Sequence, residues 1–218
     1  MEYCWKKEPI LYVDTETTGP DPDECRVVEI AMALMLENTV RWQCTWRVNP
    51  GCPIPPEASA VHGIWDEDVR DAPLFGDLTD VIGLILDYRL CGAFNAPFDR
   101  TVIACEFVRS GITLDRDFWV DPLVLARNFI TTRGSGIFKL GNLCERLGVD
   151  LGEAAHTATA DAVAAGKIAW HYFINYPRIF PDDLEEFAQL QMTWEDEQWA
   201  EWTTYCKRKG RNPGKRHT

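Results

Sequence analysis

Residues 10–19 read Ile-Leu-Tyr-Val-Asp-Thr-Glu-Thr-Thr-Gly, an apolar run that ends in two carboxylates two positions apart. In a strand, side chains at i and i+2 share a face, so Asp14 and Glu16 project together from the end of a buried strand. Anions held side by side repel each other and lose hydration, a cost that a cation offsets. A hard divalent ion such as Mg²⁺, which prefers carboxylate oxygens, meets that requirement. With 34 acidic residues in 218, an Asp-x-Glu triplet also arises by chance on a solvated surface. The triplet alone does not separate the two readings.

Two later segments do. Gly92-Ala-Phe-Asn-Ala-Pro-Phe-Asp99 places an aspartate after a short apolar run and before Val102, Ile103, Phe107 and Val108, which have helical spacing. His156-Thr-Ala-Thr-Ala-Asp161 opens a long small-residue pattern that runs to Trp170. Taken singly, Asp99 is a first-turn acid favoured by the helix dipole, and His156 is a polar surface residue. Five helical residues turn by about 500°, which puts His156 and Asp161 on separate faces of one helix. His156 is therefore expected on the loop leading into that helix.

In order, spacing and hydrophobic context, these segments resemble the DnaQ-like 3′→5′ exonucleases in their DEDDh branch, from about residue 10 to residue 175. The first motif is Asp14-Thr15-Glu16-Thr17-Thr18-Gly19, the second Asn95-Ala96-Pro97-Phe98-Asp99, and the third His156 with Asp161 five residues on. Val61-His62-Gly63-Ile64, Asp121–Arg127 and Lys139–Cys144 add supporting matches. The sister branch carries a Tyr four residues before the last Asp; here that position is Thr157, which selects the His branch. Phe94 departs from the pattern, since many members have His before the Asn.

The resemblance implies an α/β, ribonuclease H-like three-layer fold with a mixed central sheet flanked by helices. It also implies two Mg²⁺ ions about 3.5–4 Å apart, exchangeable with Mn²⁺, that promote phosphodiester hydrolysis. Asp14 is expected to bridge the metals, with Glu16 and Asp161 completing one site and Asp99 supporting the other. His156 is the expected general base, since an imidazole titrates near neutrality. For substrate contacts, the expected residues are Thr15 and Thr17 at the sugar or phosphate, and Asn95, His62 and Trp65 near the terminal nucleotides. Trp65 suits base stacking or, alternatively, packing of its own loop.

Secondary-structure signals agree with a mixed layer. Residues 10–14, 27–36 and 39–48 read as successive strands, with Glu37-Asn38 a tight hairpin between the last two. A helix at 74–87 leads to a strand near 90–93 and a helix at about 97–109. A short strand near 118–120 precedes helices at about 122–130, 139–147 and 156–172. Residues 1–175 make the expected exonuclease domain. Residues 176–218 form a C-terminal helical extension with a basic tail. Leu184, Phe187, Leu190, Trp194, Trp199 and Trp202 lie along its acidic helix, and the last twelve residues carry six Lys or Arg and no acid. That extension reads either as an extra helix on the core or as a docking site for a protein or nucleic acid.

The net charge of −12 argues against a nucleic-acid coat protein, whose affinity comes from a basic surface. An exonuclease grips only a chain end, and bound metals reverse the local sign. Eight cysteines without Cys-x-x-Cys or zinc-like spacing point to free thiols. No signal peptide and no 18-residue apolar span is legible, so the expected location is cytoplasmic, with no membrane partner. The leading function is removal of nucleotides from DNA 3′ ends, single-stranded DNA first, in proofreading, repair or end trimming. An exoribonuclease with the same residues and a catalytically silent binding module are the alternatives.

Overall fold

The strand Ile10–Thr17 (β1) sends alternate side chains into two different cores. Ile10 and Tyr12 join one buried cluster, while Leu11 and Val13 join another on the opposite face. A strand covered on both faces must be apolar throughout, which is why the run before Asp14 shows no polar alternation.

A computed structural model describes residues 4–87, 90–114, 118–132, 134, 136–150 and 157–216. Among these, Val27–Leu36 (β2), Thr39–Arg47 (β3), Leu90–Gly92 (β4) and Trp119–Val120 (β5) complete a sheet with β1. Its order is β3-β2-β1-β4-β5. β1 is antiparallel to β2 and parallel to β4, and β4 is parallel to β5, so the sheet is mixed. The helices are Pro56–His62 (α1), Asp66–Val69 (α2), Phe75–Asp87 (α3), Ala96–Arg109 (α4), Pro122–Phe129 (α5), Leu140–Leu147 (α6), Ala158–Asn175 (α7) and Leu184–Lys209 (α8). Helices α3 and α4 cover the Leu11/Val13 face. Helices α5 to α8 cover the Ile10/Tyr12 face. This three-layer arrangement is the ribonuclease H-like fold anticipated from the motifs.

Tyr12 sets how closely α7 approaches the sheet. Its ring lies in a slot between Gly92 on β4 and Gly166 on α7. A Cβ at Gly92 would stand 2.7 Å from the ring and 2.9 Å from the Val120 carbonyl, and one at Gly166 would stand 2.8 Å from the ring. The buried neighbours of Gly166 on α7 include Ala162, Ala164, Ala165 and Ala169. Small side chains let the helix backbone settle onto β1, and that brings its first turn, with Asp161, to the end of the strand.

Helix α8 seals the open edge of the sheet. The Asp121 N–H donates to Gln191 Oε1 at 2.9 Å, and Gln191 Nε2 donates to the Trp119 carbonyl at 2.9 Å. One buried amide thus takes the place of a neighbouring strand along β5, whose backbone groups would otherwise be unpaired. Trp5 stacks on Phe187 of α8 with ring centroids 4.4 Å apart, and Phe180 and Trp194 bury in the same cluster. The segment after Pro177 therefore shares the core of the Ile10/Tyr12 face.

Several boundaries differ from the sequence reading. β1 runs to Thr17 rather than stopping at residue 14, because β2 continues to pair it through Thr17↔Val27. The short helices α1 and α2 were not anticipated; they occupy a proline-dense stretch where Pro56 stands at the first helical position. Helix α7 opens at Ala158, with Thr157 Oγ1 accepting the Ala160 N–H at 3.2 Å. The Glu37-Asn38 hairpin is present, with Glu37 at φ +57°. No helix among the described residues is long and apolar enough to cross a membrane.

Candidate active site

Asp14 and Glu16 continue the face of β1 that carries Ile10 and Tyr12, so both point toward the α7 side of the sheet. Directly across from Glu16 on β2 stands Glu29. Glu29 in turn pairs with Arg47 on β3, Nε to Oε2 at 2.9 Å. A row of charges, Glu16, Glu29 and Arg47, therefore crosses three strands, with one guanidinium against two carboxylates. Like charges directly opposite destabilise a sheet, so this row is an energetic cost accepted at one spot.

Asp99, on the first turn of α4, is almost fully buried. Its Oδ1 accepts the Thr15 N–H at 2.9 Å and the Thr15 hydroxyl at 2.7 Å. Thr15 projects from the face of β1 opposite Asp14, which lets one strand orient carboxylates from both sides. Asp161 stands in the first turn of α7.

The electrostatics bring these groups together. Burial raises the Asp14 carboxyl well above its usual range, and Asp99, Glu16, Asp161 and Glu29 each push it further. Burial, then Glu29 and Asp161, lift Glu16 to about 7 against the opposing pull of Arg47. Asp99 is also raised, by burial first, although the Thr15 hydrogen bonds oppose the shift. Among the described residues, no three of His, Cys, Asp and Glu already stand in metal-ligand geometry. Asp99 is bonded to Thr15, and Glu29 is paired with Arg47. An all-oxygen, net-negative set under mutual repulsion fits hard divalent cations, and a cation would draw the carboxylates inward.

The remaining expected residues distribute as follows. Thr17 Oγ1 donates to the Gly19 carbonyl at 2.8 Å, and with Thr15 bound to Asp99 both hydroxyls serve internal bonds. His62 lies beside the Thr17 carbonyl. Its Nδ1 accepts the Ile64 N–H at 3.0 Å, which places the ring proton on Nε2, and that atom is buried without a well-formed hydrogen bond. Burial pushes the His62 imidazole below its ordinary value. Trp65 is 47% exposed. Asn95 is exposed at the β4–α4 corner with φ +66°. His156 lies outside the described residues.

Two further acids stand beside this set without a role in the sequence reading, although Asp121 lies in one of its supporting segments. Asp121 accepts the N–H groups of Asn95 and Ala96 at 3.0 and 3.1 Å and that of Leu123 at 2.8 Å. Its single carboxylate fixes the corner from which α4 launches Asp99 and also caps α5. Burial raises it to about 6 despite those three donors. The Asp-Pro pair at 121–122 marks a helix start, but sequence gives no hint of where the cap's second oxygen goes. Glu29 did leave a signal: it is the one charge within the apolar strand Val27–Leu36.

Comparison with known proteins bears on this constellation. The exonuclease (RNase_T) family profile matches residues 11–169. The chain is similar to DNA polymerase III subunit epsilon of Rickettsia prowazekii, 34% identical over 166 residues that span 72% of this chain and 71% of that protein. Among solved structures it resembles exonuclease X in complex with 5′ overhanging duplex DNA, with TM-score 0.64 and 22% identity, over 84% of this chain and 99% of that one. It also resembles the zinc-bound form of an E. coli exonuclease I–single-stranded DNA complex, with TM-score 0.68 and 20% identity, over 79% of this chain but only 42% of that one. At those identities the two structures speak for the fold.

Proposed function

This chain belongs to the exonuclease family as a DnaQ-like 3′→5′ exonuclease, and on that premise we propose that it trims nucleotides from the 3′ ends of DNA, single strands first. The observation that carries the proposal is the convergence on Asp14 of Glu16 from its own strand, Asp99 from α4 and Asp161 from α7. Three elements, β1, α4 and α7, contribute acids that repel one another near the carboxyl end of β1, and the Thr15 hydrogen bonds to Asp99 and the pull of Arg47 on Glu16 offset that repulsion only in part.

The family's chemistry depends on divalent metal, and a related exonuclease is known in a zinc-bound form. For this chain we take Mg²⁺, with Mn²⁺ in exchange, held by Asp14, Glu16, Asp99 and Asp161. Two such ions supply nucleophile activation and charge stabilisation for in-line displacement at phosphorus. The protein's own residues do the rest. Asp14 stands central to the set, and Thr15 holds Asp99 at a fixed angle beside it. Asp121 anchors the corner that carries Asn95 against the terminal nucleotide. His62 lies next to Thr17 at the edge of the set, and the exposed Trp65 offers a face for a base. His156, just ahead of the α7 cap, removes the proton from the attacking water. The free cysteines among the described residues suit a reducing, cytoplasmic setting.

Purified protein with Mg²⁺ should be given the same labelled sequence as single-stranded DNA, blunt duplex DNA and RNA. Fastest loss of single-stranded DNA is expected. Preference for RNA would move the reading to an exoribonuclease, and inertness toward all three would reject catalysis.

A further inference from the structure

We infer that the cationic segment Lys207–Arg216 is a track for the phosphate backbone of the strand whose 3′ end occupies the active site; this rests on the exonuclease reading above. All 34 acidic residues lie before position 207, whereas the last twelve residues hold six of the 22 basic ones. A protein of net charge −12 repels a polyanion over most of its surface, so the sign reversal is local.

Cations in the last turn of a helix have a plain explanation, since they complement the helix dipole. Lys207, Arg208 and Lys209 fit it. The residues beyond do not. At Gly210, φ +63°, the chain leaves the helix, and Arg211 N–H donates back to the Cys206 carbonyl at 2.9 Å. Trp202 Nε1 then donates to the Pro213 carbonyl at 2.9 Å, and Arg216 pairs with Asp196 at 2.6 Å, so the segment folds back along α8. Lys215 pairs with Asp23. Asp23 belongs to the loop between β1 and β2, which starts at Thr18 directly after the carboxylate-bearing strand. The tail is thus fastened to the same end of the molecule as the active site, with Lys207, Arg208, Lys209 and Arg211 facing solvent.

Aromatic rings accompany those charges. Trp202 and Tyr205 stack with centroids 5.7 Å apart, Trp202 is 44% exposed, and the Arg208 guanidinium lies 5.9 Å from the Tyr205 ring centre. Cations that follow a backbone, interleaved with rings on which bases stack, suit a single-stranded nucleic acid.

The test neutralises the four solvent-facing cations together, as Lys207→Gln, Arg208→Gln, Lys209→Gln and Arg211→Gln, and compares variant and wild type by two measurements. With Mg²⁺, KM for an oligonucleotide of about 25 nucleotides should rise about tenfold at low salt, while kcat and the KM of one of about 5 nucleotides hold steady. In EDTA, anisotropy of the longer oligonucleotide should show the slope of log K against log salt reduced by about 0.7 for each phosphate that the variant no longer neutralises. An unchanged slope and an unchanged KM for the longer substrate would overturn the track, as would a tail that serves a protein partner and leaves both values alone. A wild type that fails to hydrolyse yet shows the tail-dependent slope would overturn the exonuclease reading while supporting the track.

Discussion

Burial first, and then Asp99, Glu16, Asp161 and Glu29, raise the Asp14 carboxyl well above its ordinary range. The consequence for stability has a definite sign. Glu16 titrates at about 7 in the folded chain against 4.5 ordinarily. Between those values the native state binds a proton that the unfolded state has released, so metal-free protein loses stability as pH rises through this window. Asp14 and Asp99 act in the same direction. In EDTA, Asp14→Asn should therefore melt above the wild type at pH of about 8, and the gap should shrink toward pH of about 5. Each kcal/mol of relieved repulsion corresponds to about 2–4 °C in a chain of this size. Mg²⁺ should raise the wild-type melting temperature and leave the variant less affected. Parallel melting curves for the two proteins across pH would show that Asp14 carries no such strain.

At the scale of elements, the site depends on how closely α7 and α8 are held to the sheet. Gln191, from a buried position, makes one hydrogen bond to the Trp119 carbonyl of β5 and one to the N–H of Asp121 just beyond it. Gln191→Leu keeps similar bulk and leaves both backbone groups unpaired, at about 1–3 kcal/mol each. A fall in melting temperature with a smaller fall in kcat is expected, because Asp121, which fixes the α4 corner, follows β5 directly. A melting temperature within about 1 °C of wild type would mean the edge is satisfied by other means. Such a role is invisible in sequence, where Gln191 is one polar residue on an acidic helix. The acids were legible for the opposite reason. Asp14, Asp99 and Asp161 each interrupt or open an apolar pattern with strand or helix periodicity, so their element and face follow from the chain. Glu29 broke such a pattern too, but a lone charge in a strand does not announce its partner on β3. Helices α1 and α2, seven and four residues long, are too short to show a period.

Across the whole molecule, one sheet divides two cores and the acids gather where β1 ends. The C-terminal segment is built into the same plan. Phe180, Phe187 and Trp194 share a cluster with Trp5 and Tyr12, so a chain ending before Pro181 exposes that cluster and should aggregate or melt tens of degrees lower. A soluble, fully active chain of residues 1–180 would contradict that account of α8. Hydrolysis of nucleic acid from the 3′ end through the Asp14-centred site has a characteristic product pattern. A 5′-labelled single-stranded DNA, incubated with Mg²⁺ and either wild type or Asp14→Asn, tests it most directly. The wild type should give a ladder of progressively shorter labelled products, silenced by EDTA, and the variant should leave the DNA uncut. Immediate release of the labelled 5′ nucleotide, or an undiminished ladder from Asp14→Asn, would contradict it.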